Sequence, residues 1–297
     1  MISVKNLIFR YNTESTDVVR NITFQVNKGE IFGFLGPSGA GKSTTQKILT
    51  GQLKSYTGSV IIEGKEMKEA KRDLYNRIGV AFEFPNLYEK LTAVENLQLF
   101  GSFYQRDIIT PGVLLKMVNL YEDRNTLVSS FSKGMKMRLN FARSIMHKPD
   151  LLFFDEPTTG LDPVNAKMVK DIICDLKRQG ASIFLTTHNM YDADSLCDRL
   201  ALIDNGELIL SGSPADLKMQ FGENNIKVTL RNCGIRTEKQ FALKGIGSDI
   251  SFLELLKSDD LETVHTCEAS LEDIFIRVAG RSLIGNSEYP DNNAEVN

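Results

Sequence analysis

Near the start of the chain apolar and polar residues alternate over 3–9 (SVKNLIF) and again over 22–26 (ITFQV), the period of strands with one buried face. The turn Asn27-Lys28-Gly29 follows. Residues 31–35 (IFGFL) are apolar without a break, as in a strand covered on both faces, and a glycine-rich stretch then leads into a helix predicted from about Lys42. Residues 60–62 and 78–81 read as further short strands. Thr92 with Glu95 forms a capping box that predicts a helix to about Tyr104, and Thr110-Pro111 opens another helix in the same way. Ser132 caps a helix that carries Met135, Leu139, Ala142 and Ile145 on one side and stops before Pro149.

Residues 151–154 (LLFF) predict a buried strand, Asp162-Pro163 a helix to about Gln179, and 182–186 another strand. Asn205-Gly206 joins strands 200–203 and 208–210 as a hairpin. Strands alternating with helices predict an α/β core. After Ser213-Pro214 the pattern loosens: 226–230 reads as an edge strand and 270–278 as a helix with Ile274 and Val278 on one face. A small appended unit is expected there, and from about Ile284 the residues are too polar to bury, which predicts a disordered tail.

Composition narrows the partners. The 297 residues, 42% of them hydrophobic, suffice for one large or two small domains with an ordinary core. Thirty-five Lys and Arg against 38 Asp and Glu give a net charge of -3, without the basic field that nucleic acid demands, so nucleic acid is not expected as a main partner. A membrane-spanning helix needs about 20 mostly apolar residues; runs such as 151–154 stop at Asp155, and the chain is not expected to cross a membrane. The opening residues show no export leader, which places the expected compartment in the cytoplasm. Cys174, Cys197, Cys233 and Cys267 lack metal-ligand spacing and read as reduced thiols.

Gly36-Pro37-Ser38-Gly39-Ala40-Gly41-Lys42-Ser43-Thr44 fits a phosphate loop, in which backbone N–H groups curl round phosphate oxygens at a helix N-terminus. Its position, after a buried strand and before a helix, is the one the chemistry requires. Lys42 should reach the β and γ phosphates of ATP, and Ser43 should ligate Mg²⁺. Asp155 and Glu156 emerge at the carboxyl end of the buried strand 151–154, where Asp155 would orient Mg²⁺ and Glu156 would act as general base toward water. The alternative reading of both acids is that they cap the turn before Pro157.

These residues extend into a pattern, over about 3–217, that resembles the ATPase subunits of ABC transporters: a P-loop NTPase cassette with an antiparallel β subdomain and a helical subdomain (about 84–148). Domain 1–217 would be followed by a small C-terminal extension, 218–283, and the tail 284–297. Beyond the phosphate loop and 151–156, the resemblance rests on Phe131-Ser132-Lys133-Gly134-Met135, on Gly160-Leu161-Asp162 and on Thr187-His188. It implies a head-to-tail dimer in which the signature residues Ser132, Lys133 and Gly134 of one copy meet the nucleotide of the other, and a nucleotide-binding role for Asp162. It also implies a γ-phosphate contact for His188, an adenine-stacking role for Tyr11 and a separate transmembrane permease, with the chain peripheral on the inner face of the membrane. Residue by residue, Ser132 could equally be an ordinary cap, His188 a satisfied histidine and Tyr11 a surface tyrosine.

The pattern departs from the family at two positions. Glu83 stands where glutamine is usual near Mg²⁺ and the attacking water, and Lys133 replaces the first glycine of the signature. The two changes could offset each other in charge across a dimer, or be independent with Lys133 solvated. The permease contact is expected on the surface around 84–97, where Phe84-Pro85-Asn86-Leu87-Tyr88 is an apolar stretch suited to a partner helix, unless Phe84 and Leu87 pack inward. Ser270-Leu271-Glu272-Asp273-Ile274-Phe275 looks like the C-terminal extension of bacterial ATPases that export drugs, antibiotics or sodium. Export is therefore expected; a soluble ABC ATPase without a transporter, or a weakly hydrolytic regulatory subunit, are the alternatives.

Overall fold

The computed structural model describes residues 1–12, 16–70, 72–105, 107–222, 225–232, 235–266 and 269–280. The expected disordered tail, 284–297, as well as Cys233 and Cys267, lie outside the described residues; Cys174 and Cys197 are free thiols. The chain divides into two compact units, one over Met1–Gly212 and another beginning at Ser213. Among the described residues no helix is long and apolar enough to cross a membrane.

Two sheets build the first unit. A six-stranded sheet runs in the order Glu207–Gly212, Arg199–Asp204, Ile31–Leu35, Ser182–Thr187, Leu151–Asp155, Ile78–Ala81, and is parallel except for the hairpin strand Glu207–Gly212. The strands Ile31–Leu35, Ser182–Thr187 and Leu151–Asp155 are buried at every position, which is why 31–35 and 151–154 read as unbroken apolar runs. A four-stranded antiparallel sheet, in the order Val19–Val26, Ile2–Phe9, Thr57–Ile62, Lys65–Glu66, shows the alternating burial that its sequence predicts. One core joins residues of both sheets, with Phe24 stacked on Phe32 at 5.7 Å and Phe184 in contact with Phe34 at 5.5 Å and Phe153 at 5.9 Å. Each such ring, fully buried, contributes on the order of 1.5–3 kcal/mol.

The helical segment follows the strand Ile78–Ala81. Thr92 and Glu95 form the predicted capping box, but the helix Ala93–Gly101 ends earlier than Tyr104. Pro111–Met117 starts at Thr110 with proline at its first position and without a side-chain cap. Lys133–Ile145 is capped by Ser132 Oγ, which accepts from Met135 N–H at 3.2 Å, and buries Leu139, Ala142 and Ile145 while Met135 stays half-buried. Asn140 Nδ2 donates to the Phe82 carbonyl at 2.9 Å and so ties this helix to the segment that carries Glu83.

The second unit corrects one expectation. The strand Asn225–Asn232 is central, paired on one side with Ile235–Ala242 and on the other with Leu261–Thr266. Its alternation suggested an edge because the flanking strands are mostly exposed and, in Ile235–Ala242, too polar to advertise themselves. Ile226, Val228 and Phe252 form the small core beneath the helix Ile250–Leu255. Leu271–Ala279 is capped by Ser270 and Asp273 and buries Ile274, and Arg277 Nη1 donates to the Phe221 carbonyl of Pro214–Phe221 at 2.9 Å.

Candidate active site

Strand order assembles the site. Ile31–Leu35, Ser182–Thr187, Leu151–Asp155 and Ile78–Ala81 are consecutive neighbours in the sheet, with Leu35 opposite Thr187, Asp155 opposite Thr186 and Ala81 opposite Phe154. Their carboxyl ends deliver the phosphate loop, His188, the pair Asp155-Glu156 and Glu83 to one edge, where parallel sheets bind ligands. A cavity of about 380 Å³ opens there, lined by Ser38, Gly39 and Gly41 to Thr44 of the loop together with Val18, Glu83, Glu156 and His188.

The loop's backbone explains its glycines. A Cβ on Gly36 would lie 2.1 Å from the Ile203 carbonyl oxygen, and Gly41 adopts φ +107°, a left-handed conformation that immediately precedes the helix Lys42–Leu49. Lys42 is buried, and its ammonium donates to the carbonyls of Gly36 at 2.7 Å and Pro37 at 3.0 Å. Burial pulls its pKa below the usual lysine value, opposed by the carboxylates of Glu156, Asp155 and Glu83. An ammonium held against the loop carbonyls at the cavity wall is placed to meet an anionic ligand.

Asp155 is buried at the sheet edge. Its Oδ1 accepts from the Thr186 hydroxyl and, at 3.4 Å, from Ser43 Oγ, while burial raises its pKa against those two hydrogen bonds. Glu156 has φ +51°, a strained value for a residue with a side chain, and its carboxylate is held by four donors. Oε1 accepts from His188 N–H at 2.9 Å and His188 Nδ1 at 2.7 Å; Oε2 accepts from the hydroxyls of Thr187 at 3.1 Å and Thr159 at 3.0 Å. These four bonds use the four lone-pair directions of a carboxylate. Since a carboxylate can only accept, His188 Nδ1 carries the hydrogen of this bond.

The structure brings some expected residues together and keeps others apart. The phosphate loop, Glu83, Glu156 and His188 share the cavity, with Asp155 bonded to Ser43 at its base. Tyr11 stands beside it, its hydroxyl 3.1 Å from Thr44 Oγ1 and its ring edge-on to Phe9 at 5.0 Å. Ser132, Lys133, Gly134 and Asp162 do not line it. Lys133 and Gly134 lie against the segment just before Asp162: a Cβ on Gly160 would lie 3.5 Å from Lys133 Cε, and one on Gly134 would lie 3.5 Å from Leu161 Cδ2. Asp162 spends its carboxylate capping the helix Pro163–Arg178. Neither Glu83 nor Lys133 forms an ion pair with a described residue of its own chain.

Several residues that order the site carry no sequence motif. Thr158, Thr159 and Thr186 read only as turn and strand formers, and Thr187 enters only through its place before His188, yet all four hydroxyls bond carboxylates at the site or beside it. Buried Asp192 accepts from Thr158 Oγ1 at 2.7 Å and Lys170 Nζ at 2.9 Å, and thereby locks the loop after Glu156 to the helix after His188. A buried threonine in a β-branched strand is the one available signal, and it is weak because β propensity explains the same residue.

Known proteins are similar to this chain in sequence and fold. Residues 19–159 match the ABC transporter family model and residues 224–268 match the C-terminal domain of fluoroquinolone efflux ABC transporters. The chain is 49% identical to a fluoroquinolones export ATP-binding protein of Mycobacterium tuberculosis, over 95% of this chain and 94% of that protein. It is 32% identical to a linearmycin resistance ATP-binding protein of Bacillus subtilis, over 95% and 99% of the two chains. Among solved structures it resembles an ATP-binding subunit of an ABC transporter, with 30% identity and a TM-score of 0.67 over 74% of this chain and 93% of that one. It also resembles a dimeric ATP-binding cassette bound to ADP and phosphate, with 26% identity and a TM-score of 0.65 over 72% and 98%.

Proposed function

This chain belongs to the ABC transporter family of ATP-binding proteins and is an ATPase, and from that premise we propose that it powers a separate membrane permease exporting antibiotic-like compounds, fluoroquinolones first among them. The observation that carries the reading is the convergence of Lys42, Asp155, Glu156 and His188 on one cavity in a chain that is like an export protein over nearly its whole length.

In this reading the loop N–H groups and Lys42 hold the phosphates of ATP. A water attacks the γ-phosphorus, the bond to the bridging oxygen breaks, and Glu156 takes the water's proton. Because its four lone-pair directions are engaged, Glu156 accepts that proton only after one donor lets go. The half-exposed Thr159 hydroxyl and the exposed His188 ring are freer to do so than the buried Thr187. Ser43 and Asp155 offer hard oxygen ligands close together, with Asp155 Oδ2 left over by the hydrogen bonds to Oδ1, a donor set that suits Mg²⁺. Bound there, Mg²⁺ would withdraw charge from the phosphoryl group, and Glu83 would add a carboxylate at the cavity wall.

Ser132, Lys133, Gly134 and Asp162 read as a half-site offered to a second copy, in a head-to-tail dimer that shares two nucleotides. The permease is read onto the surface opened by Phe84, which is 75% exposed rather than packed inward. Beside it lies a groove of about 530 Å³ lined by Leu87, Tyr88, Phe100, Tyr104 and Arg143. Co-expression with a membrane protein encoded by a neighbouring gene, in a drug-sensitive host, tests the reading. Accumulation of a fluoroquinolone is expected to fall, and to recover with Glu156→Gln. Unchanged accumulation across a panel of antibiotics would overturn export, and failure of the two proteins to co-purify would overturn the permease.

A further inference from the structure

Beneath the phosphate loop lies a polar side chain that the reaction just described does not use. Gln46, one turn along the helix Lys42–Leu49 from Ser43, is fully buried in a position that faces the sheet. Its amide oxygen stands 3.4 Å from Thr186 Oγ1, and its Nε2 is enclosed without a hydrogen-bond partner among the described residues. Thr186 has one hydroxyl hydrogen and three acceptors within reach: Asp155 Oδ1, the Phe154 carbonyl at 3.4 Å and Gln46. The ionised carboxylate takes it, because charge-assisted bonds are the stronger ones.

The hydroxyl oxygen then has lone pairs to spare and no hydrogen for Gln46. Rotating the Gln46 amide by 180° exchanges its oxygen and nitrogen, which diffraction itself rarely distinguishes, and turns the orphaned N–H into a donor to Thr186. What remains unpaired is a carbonyl oxygen, a lesser penalty than a buried N–H. The result is a directional chain: Gln46 donates to Thr186, Thr186 donates to Asp155, and Ser43 meets the same Oδ1 from the loop.

We propose that Gln46 is a positioning residue of the ATPase site, which acts through Thr186 to hold Asp155 Oδ1 and keep its Oδ2 aimed at the metal that accompanies the nucleotide. The role rests on the assignment of Asp155 to that metal. A neutral donor polarises the threonine hydroxyl without adding charge beneath the site, whereas leucine at this depth would pack equally well and leave Thr186 free to turn toward Phe154.

The test is a binding measurement on the full-length protein with a fluorescent trinitrophenyl-ATP, titrated with and without Mg²⁺. Wild type is expected to bind more tightly with the metal. Gln46→Leu should reduce that gain about 3- to 10-fold, the worth of one net hydrogen bond, while leaving metal-free affinity in place. Gln46→Met serves as a second apolar variant should leucine disturb folding. Thr186→Val should reduce the gain at least as much, and Gln46→Leu in the Thr186→Val background should add nothing further. An unaltered gain in both Gln46 variants, or strictly additive effects, overturns the relay. A wild type without any metal gain overturns the metal assignment and the relay with it.

Discussion

Replacing Glu156 by glutamine separates the chemistry of this carboxylate from its structural role. Oε1 accepts from the His188 backbone N–H and Nδ1, and Oε2 from the hydroxyls of Thr187 and Thr159. An amide keeps one acceptor oxygen and brings two hydrogens. Its oxygen is expected on the His188 side, since a backbone N–H can only donate, whereas both threonine hydroxyls can rotate to accept from the new NH₂. Thr187 already accepts from Asn189 N–H at 3.0 Å and has a second lone pair for this purpose. Charge-assisted bonds become neutral ones, and the Thr187 and Thr159 hydroxyl hydrogens lose the carboxylate that accepted them, so urea unfolding should place the variant within about 3 kcal/mol of wild type. Loss of the base should slow turnover about 10²- to 10⁴-fold, equivalent to roughly 3–5 kcal/mol in the barrier. Phosphate release at saturating ATP reads the rate, and trinitrophenyl-ATP binding confirms that the site still fills. Turnover above about a tenth of wild type would refute Glu156 as the base, because general-base catalysis is worth more than that.

Other parts of the structure give equally definite expectations. Lys42→Ala removes a charge-assisted phosphate donor and should weaken nucleotide binding by about 10- to 100-fold in equilibrium titration. Asp192→Ala strands the Thr158 hydroxyl and the Lys170 ammonium, which is 22% exposed and can partly rehydrate, so denaturant unfolding should register a loss of about 2–3 kcal/mol. Phe84→Asp should abolish co-purification with the permease while the isolated protein hydrolyses ATP at its normal rate. Glu83→Gln and Lys133→Gly, alone and together, should show non-additive effects on the dimer's ATPase rate if the two charges meet across it; strict additivity would show them to be independent.

The chain itself determines the parts of this protein that depend on near neighbours. GPSGAGKST carries the left-handed turn and the helix start within a few residues; Thr92 and Glu95 form their capping box across three positions; the apolar runs 31–35 and 151–154 announce strands covered on both faces. Packing decides what depends on distant partners. Nothing local states that Ser182–Thr187 inserts between Ile31–Leu35 and Leu151–Asp155, yet this pairing places Thr186 on Asp155 and Thr187 and His188 on Glu156. Nor does the polar stretch Ile235–Ala242 reveal that it flanks Asn225–Asn232 and makes that strand central. The physical reason is one of range. Backbone conformation answers to sterics and caps a few bonds away, whereas strand order answers to how phenylalanines from separate segments fill one core. The phosphate loop is therefore legible by itself, and the hydroxyls that hold its carboxylates become functional only once the sheet has formed.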